Sequence, residues 1–244
     1  MFAIELYDIV VSHLFENLMK LQSDGSGGTT AVNGMARSYQ CDATAEGQET
    51  YTFKLRSSAA WSDGTKVTAQ DFVYAWKRLV DPATGSKNAR ILDMVAGYSA
   101  ARTGEDALQV SAPDDETFVV ALSGRCPYFI DSVCTAAATM PVQSAAAAQE
   151  NWSMSASTLV TNGPYTVSSW EGDTLTLTQS ADYHDKRRLG PENLTFRFTA
   201  DAKTANSLYD RGEVDFVLGL TEEAVAKKID SWTPDSYPET SVVL

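Results

Sequence analysis

Two histidines, His13 and His184, are all the imidazole this chain offers a hydrolase, a metal or a proton relay. Catalysis would need one of them held beside a nucleophile, and metal binding would need one clustered with other ligands. Neither G-x-S-x-G, nor H-E-x-x-H, nor a Cys/His cluster occurs. His13 opens an amphipathic stretch, and His184 lies in the polar run Asp182–Arg188, where a solvated side chain is the expectation. The adjacent carboxylates Asp114–Asp115 and Glu222–Glu223 have the composition of acid–base pairs. Each has a local task instead, the first in a turn and the second at a helix N-terminus, where the peptide dipoles favour acids. The glycines of Gln22–Thr30, QSDGSGGTT, precede no Gly-Lys-Ser/Thr, so they form turns and not a phosphate cradle.

Three cysteines, Cys41, Cys126 and Cys134, include no CxxC pair. Cys126 and Cys134 are about 12 Å apart if the intervening residues are helical at about 1.5 Å each, too far for a disulfide. The expectation is three buried or half-buried thiols, with a pairing of Cys41 as the alternative. Trp61, Tyr74, Trp76, Trp152 and Trp170 have the makings of stacking platforms for sugars or bases, yet their spacing mostly fits core stripes. No catalytic residue, metal site or cofactor is therefore assigned.

The elements that would position these residues can be read from periodicity and punctuation. His13–Leu21, HLFENLMKL, carries Leu14, Leu18 and Leu21 at helical spacing and predicts a short helix. Tyr51–Arg56 alternates Tyr51, Phe53 and Leu55 with polar residues, as a half-buried strand does. Trp61 leads into the tight turn Ser62–Gly64. Thr68–Asp71 then has the pattern of a helix start, with the helix expected over Ala69–Val80 and stopped by Asp81–Pro82. Phe72, Val73, Trp76, Leu79 and Val80 make its apolar stripe. Further on, strands are expected at Glu116–Leu122, Tyr165–Trp170, Thr174–Gln179, Leu194–Phe198 and Val214–Leu218. Helices are expected at Pro127–Val133, Val142–Ala148, Ala202–Arg211 and Glu222–Ile229.

Nineteen basic against thirty-two acidic residues give a net charge of −13 over 244 residues. That balance opposes attachment to phosphate backbones or anionic lipid, so nucleic acid is not an expected partner. No apolar run is long enough to cross a bilayer, and Met1–Val11 lacks the flank of a signal peptide, so direct membrane insertion is not expected either. A 43% hydrophobic fraction suffices for a folded core of mixed strands and helices, an α/β or α+β protein with mixed sheets.

The stretch Trp61–Arg78, WSDGTKVTAQDFVYAWKR, closely resembles the signature of the oligopeptide- and dipeptide-binding proteins, the extracellular solute-binding proteins (family 5) of ABC importers. Four shorter matches fall in the family's order: LFENL at Leu14–Leu18, YTFKLR at Tyr51–Arg56, VTNGPYTV at Val160–Val167 and LYDRGEVDF at Leu208–Phe216. Together they span essentially the whole chain.

The resemblance implies a fold: an α/β (mixed α+β), periplasmic-binding-protein-like lobe I with a mixed sheet, interrupted by an inserted α+β domain, the second lobe missing. Residues 1–33 and 161–244 would form lobe I, the latter ending at the hinge, and 34–160 the insert. It also implies a function, non-catalytic capture of peptides between two lobes and delivery to permease subunits in the membrane. The location would be extracytoplasmic, with a lipid anchor on the full-length protein. A different solute (nickel chelate, haem or oligosaccharide) on the same scaffold, a sensing role, or least of all a hydrolase are the alternatives. Motif position nominates Ile4, Glu5 and Tyr7, ahead of LFENL, as ligand contacts. It also nominates Leu218 and Gly219, after LYDRGEVDF, and Val242 beside the opening. Asn88 stands where some relatives place a cleft-facing tyrosine, so an aromatic contact would be lost there.

Overall fold

The computed structural model describes residues 9–26, 28–149 and 151–218, together with Glu223 and Ala226. Alternation in YTFKLR works as expected: Tyr51, Phe53 and Leu55 of strand β4 (Glu49–Leu55) are buried while Lys54 is exposed. β4 is central in an antiparallel sheet of order β3-β4-β6-β5, with β3 at Ala36–Ala43, β5 at Val110–Asp114 and β6 at Thr117–Ala121. Register sets Phe53 opposite Phe118 and Tyr51 opposite both Cys41 and Val120.

Helix α2 (Ala69–Val80) packs on this sheet through the stripe the sequence laid out, with Phe72, Trp76, Leu79 and Val80 buried. Trp76 meets the edge of Phe118 at 5.1 Å between centroids, and its indole Nε1 donates to the Thr139 carbonyl at 2.9 Å. Burial of each such side chain stabilises the fold by about 1.5–3 kcal/mol. At the helix start the Asp71 carboxylate accepts from Thr68 N at 2.8 Å and from the buried Trp61 Nε1 at 3.3 Å. Asp71→Ala leaves both donors without a partner and is expected to cost about 2 kcal/mol in urea unfolding, with Asp71→Asn recovering most of it. At the other end, Asp81 Oδ1 accepts from Ala83 N at 2.8 Å, and Pro82 begins a 3₁₀ turn.

Before this unit come helical residues 9–14 (α1) and the hairpin β1 (Met19–Ser23) with β2 (Thr29–Asn33). After it, β7 (Tyr165–Glu171), β8 (Thr174–Gln179) and β9 (Asn193–Arg197) make an antiparallel meander, followed by α5 (Ala202–Asp210). Two single helical turns, α3 (Tyr98–Ala101) and α4 (Ser144–Ala147), complete the elements used below.

Several expectations are corrected. The helix expected at His13–Leu21 ends at residue 14, and Met19 onward is strand. Long-range partners take the backbone groups a helix would use: Asn162 Oδ1 accepts from Glu16 N, and Leu18 O accepts from Gly34 N and Ala36 N. Every strand pair among the described residues is antiparallel, where mixed sheets were expected, because consecutive strands are joined largely by tight turns. Val214–Leu218 forms no strand, and Phe216 is 72% exposed. Val142–Ala148 shortens to α4, and Pro127–Val133 to one wide turn at Phe129–Val133. Of Glu222–Ile229, Glu223 and Ala226 are helical and the rest lies outside the described residues.

Candidate functional site

LFENL supplies the first constellation. Because α1 stops at residue 14, Glu16 turns inward, and its carboxylate is 4% exposed. Oε1 accepts from Lys20 Nζ at 2.9 Å and from the Tyr183 hydroxyl at 2.7 Å, while Oε2 meets His184 Nε2. Asn162 clasps the same residue through the backbone, Oδ1 accepting from Glu16 N at 3.1 Å and Nδ2 donating to Glu16 O at 3.0 Å. Burial pushes the Glu16 carboxyl up, but the hydrogen bonds and charges of His184 and Lys20 outweigh it, and its pKa lies below the ordinary 4.5. Burial, and then the Glu16 charge, raise the Tyr183 phenol well above its ordinary range. With three donors already on it, this carboxylate is committed to joining LFENL to the loop after β8 and is not poised as a base. The His184 side chain, expected to be solvated, is instead 5% exposed. The cluster forms one wall of a cavity of about 640 Å³ reaching His13, Tyr165 and Pro191.

A second concavity, of about 380 Å³, runs between α1, the C-terminal half of α2 and the stretch Ala137–Val142. Its floor is apolar: Val10, Leu14, Leu79 and Met140, with Trp152 and Trp170 at its side. The expectation that the tryptophans are core holds for Trp61 and Trp76, both fully buried, and fails for Trp170, which is 47% exposed. Among the described residues Arg78, half-buried in the last turn of α2, is the one charged side chain lining this groove, and it has no hydrogen-bond or ion-pair partner there.

Of the nominated ligand residues, two are described. Asn88 is exposed and precedes the 3₁₀ turn Ala89–Leu92, its N–H donating to Ser86 Oγ at 3.2 Å. It therefore stands two residues beyond Ser86, which lines the groove. Leu218 is 37% exposed. Ile4, Glu5, Tyr7, Gly219 and Val242 lie outside the described residues. The sequence alone singles out neither Glu16 nor Arg78, and it leads to a solvated His184. A charge near a helix end explains Arg78 locally, and only folding brings Glu16 to His184 across 168 positions.

All three cysteines are free, Cys126 and Cys134 buried and Cys41 exposed on β3, which corrects the expectation of three sheltered thiols. Burial raises the Cys126 thiol and holds Cys134 well above its ordinary value. Titration with an aromatic disulfide reagent is expected to consume one thiol promptly in native protein and all three in guanidinium, since the thiolate is the reacting form. Among the described residues no group of three or more His, Cys, Asp or Glu is placed to hold a metal ion. No described helix is long and apolar enough to cross a membrane.

Comparison with known proteins gives this geometry its context. The chain is 30% identical over 249 residues to the dipeptide-binding protein of Lactococcus lactis subsp. cremoris, covering 97% of this chain and 44% of that protein. It is 34% identical over 230 residues to the periplasmic oligopeptide-binding protein OppA of Escherichia coli, covering 91% of this chain and 40% of OppA. Its fold superposes with a TM-score of 0.82, at 30% identity, on the substrate-binding domain of an oligopeptide ABC transporter from Bacillus anthracis, covering 93% of this chain and 43% of that one. The chain thus spans less than half the length of the relatives it matches. Residues 30–242 match the family described as bacterial extracellular solute-binding proteins, family 5 Middle, and the chain belongs to that family.

Proposed function

We propose that this chain builds one wall of a peptide-binding cleft in the extracytoplasmic receptor of an ABC importer. The observation that carries the reading is that relatives named for dipeptide and oligopeptide binding match over nine-tenths or more of this chain. A peptide would lie extended along the wall and pair through its backbone like an added strand. Hinge closure of a second lobe would then enclose it for delivery to membrane permease subunits, with no bond made or broken. Ile4, Glu5, Tyr7, Asn88, Leu218, Gly219 and Val242 are the proposed contacts, and a lipid anchor is the proposed tether. The division into 1–33, 34–160 and 161–244 is supported by the sheets, since among the described residues the four strands of one fall within 34–160 and the three of another within 161–244.

Mass spectrometry of small molecules released by denaturing the protein purified from its native host tests this reading. The expected result is a set of short peptides in near-stoichiometric yield. Recovery of a single non-peptide solute would replace peptides as the ligand class.

A further inference from the structure

The groove beside α2 offers more than a generic wall. Its lining is apolar apart from Thr84, Ser86, Ser153 and Arg78, and two tryptophans stand along it. A volume of about 380 Å³ lies at the lower end of the roughly 300–1,000 Å³ typical of small-ligand sites. A site of that size takes one bulky side chain with its adjoining backbone, not a long peptide. An apolar site of this kind gains by excluding water from an aliphatic or aromatic group. The Arg78 guanidinium brings five donors and a fixed positive charge, with no described acceptor to engage them. A carboxylate satisfies that fork in a two-bond arrangement, while a basic side chain meets like-charge repulsion. Asn88, one of the proposed peptide contacts, follows the groove residue Ser86 by two positions in the chain.

Resting on the peptide-capture reading, we infer that this groove selects peptides ending in a bulky apolar residue, whose side chain enters between Trp152, Trp170 and Leu79 while its terminal carboxylate engages Arg78. One residue then carries both chemistries the groove offers. Binding energy comes from burying that side chain, and selectivity against basic termini comes from the charge.

The test follows the indole N–H signals of Trp152 and Trp170 in the ¹⁵N-labelled chain, titrated with Ala-Ala-Phe, its C-terminal amide and Ala-Ala-Lys. Ala-Ala-Phe is expected to move both signals saturably and to bind about tenfold more tightly than either other peptide. Arg78→Gln is expected to remove the difference between acid and amide, and that difference in the unaltered chain decides the matter by itself if the substitution disturbs folding. Equal affinity for the three peptides, or shifts that leave both indoles unmoved, would overturn the selectivity and leave peptide capture standing. Binding that develops only once residues 1–8 are deleted would overturn it too, by making the chain's own N-terminal segment the occupant. The selectivity is equally overturned if no tripeptide binds while peptides are recovered from the native protein. Failure of both experiments would remove peptide capture along with it.

Discussion

Replacing Glu16 by alanine is expected to lower the unfolding free energy by about 3–5 kcal/mol, as removal of one partner from a buried charged cluster does. The substitution removes the carboxylate that Tyr183, His184 and Lys20 share, and the side chains of the first two are buried. It leaves the Asn162 clasp intact, because that clasp uses backbone atoms of residue 16, so the loss reports on the carboxylate alone. Lys20→Ala is the control: its side chain is 32% exposed, and its loss should stay within about 1 kcal/mol. Urea unfolding at neutral pH compares the two, and equal losses would show that the carboxylate is not what joins LFENL to the loop after β8.

The same residue sets a pH dependence whose direction follows from its depressed pKa. A carboxyl that titrates lower in the native state than in the unfolded chain contributes its full stabilisation above the ordinary value of 4.5, and loses it as pH falls through the lower native value. Stability of the unaltered chain should therefore fall as pH drops from 4.5 toward that lower native value. In Glu16→Gln the slope there should be shallower by up to one proton, about 1.4 kcal/mol per pH unit. Unfolding curves at a series of pH values from neutral downward measure the difference between the two slopes.

The second large effect comes from Gly163, where the chain returns against α1. A Cβ there would lie 2.5 Å from the Leu14 carbonyl carbon and 2.6 Å from Phe15 N, both backbone atoms that no rotamer change can move aside. Gly163 N also donates to Leu14 O at 2.8 Å, so relieving the clash stretches that bond and pulls Asn162 from Glu16. Gly163→Ala is expected to cost about 3–4 kcal/mol and, by displacing the helix that carries Val10 and Leu14, to weaken any ligand in the groove. Gly172→Ala is the informative comparison. That glycine has φ +58 in the β7–β8 turn, but nothing lies within 4 Å of an added Cβ. Only the left-handed backbone then resists substitution, at about 1 kcal/mol. Thermal unfolding of the two variants separates close approach from backbone conformation, and equal losses would contradict the packing seen at Gly163.

Read residue by residue, the chain announces its locally determined elements well. The α2 boundaries follow from Thr68, Asp71 and Asp81–Pro82, since caps and proline act within four residues of where they stand. The β4 alternation and the β7 and β8 segments follow from period-two patterning. His13–Leu21 misleads because a helical period of leucines is also compatible with a break, once Asn17 and Leu18 find partners at Ala136, Thr139 and Gly34. Val214–Leu218 misleads because a strand needs a neighbour to pair with, and apolar composition alone cannot supply one.

By itself, then, the sequence determined the helix and strand segments that short-range physics controls. Through five ordered motifs it also determined the family to which those segments belong. Tertiary structure alone decided that a histidine in a polar loop is buried against Glu16, that Cys41 is exposed while its two companions are not, and that Trp170 and Arg78 share one apolar groove. The division has one physical cause. Caps, turns and periodicity act between residues a few positions apart, whereas desolvation and charge pairing depend on neighbours that only the folded chain brings within reach.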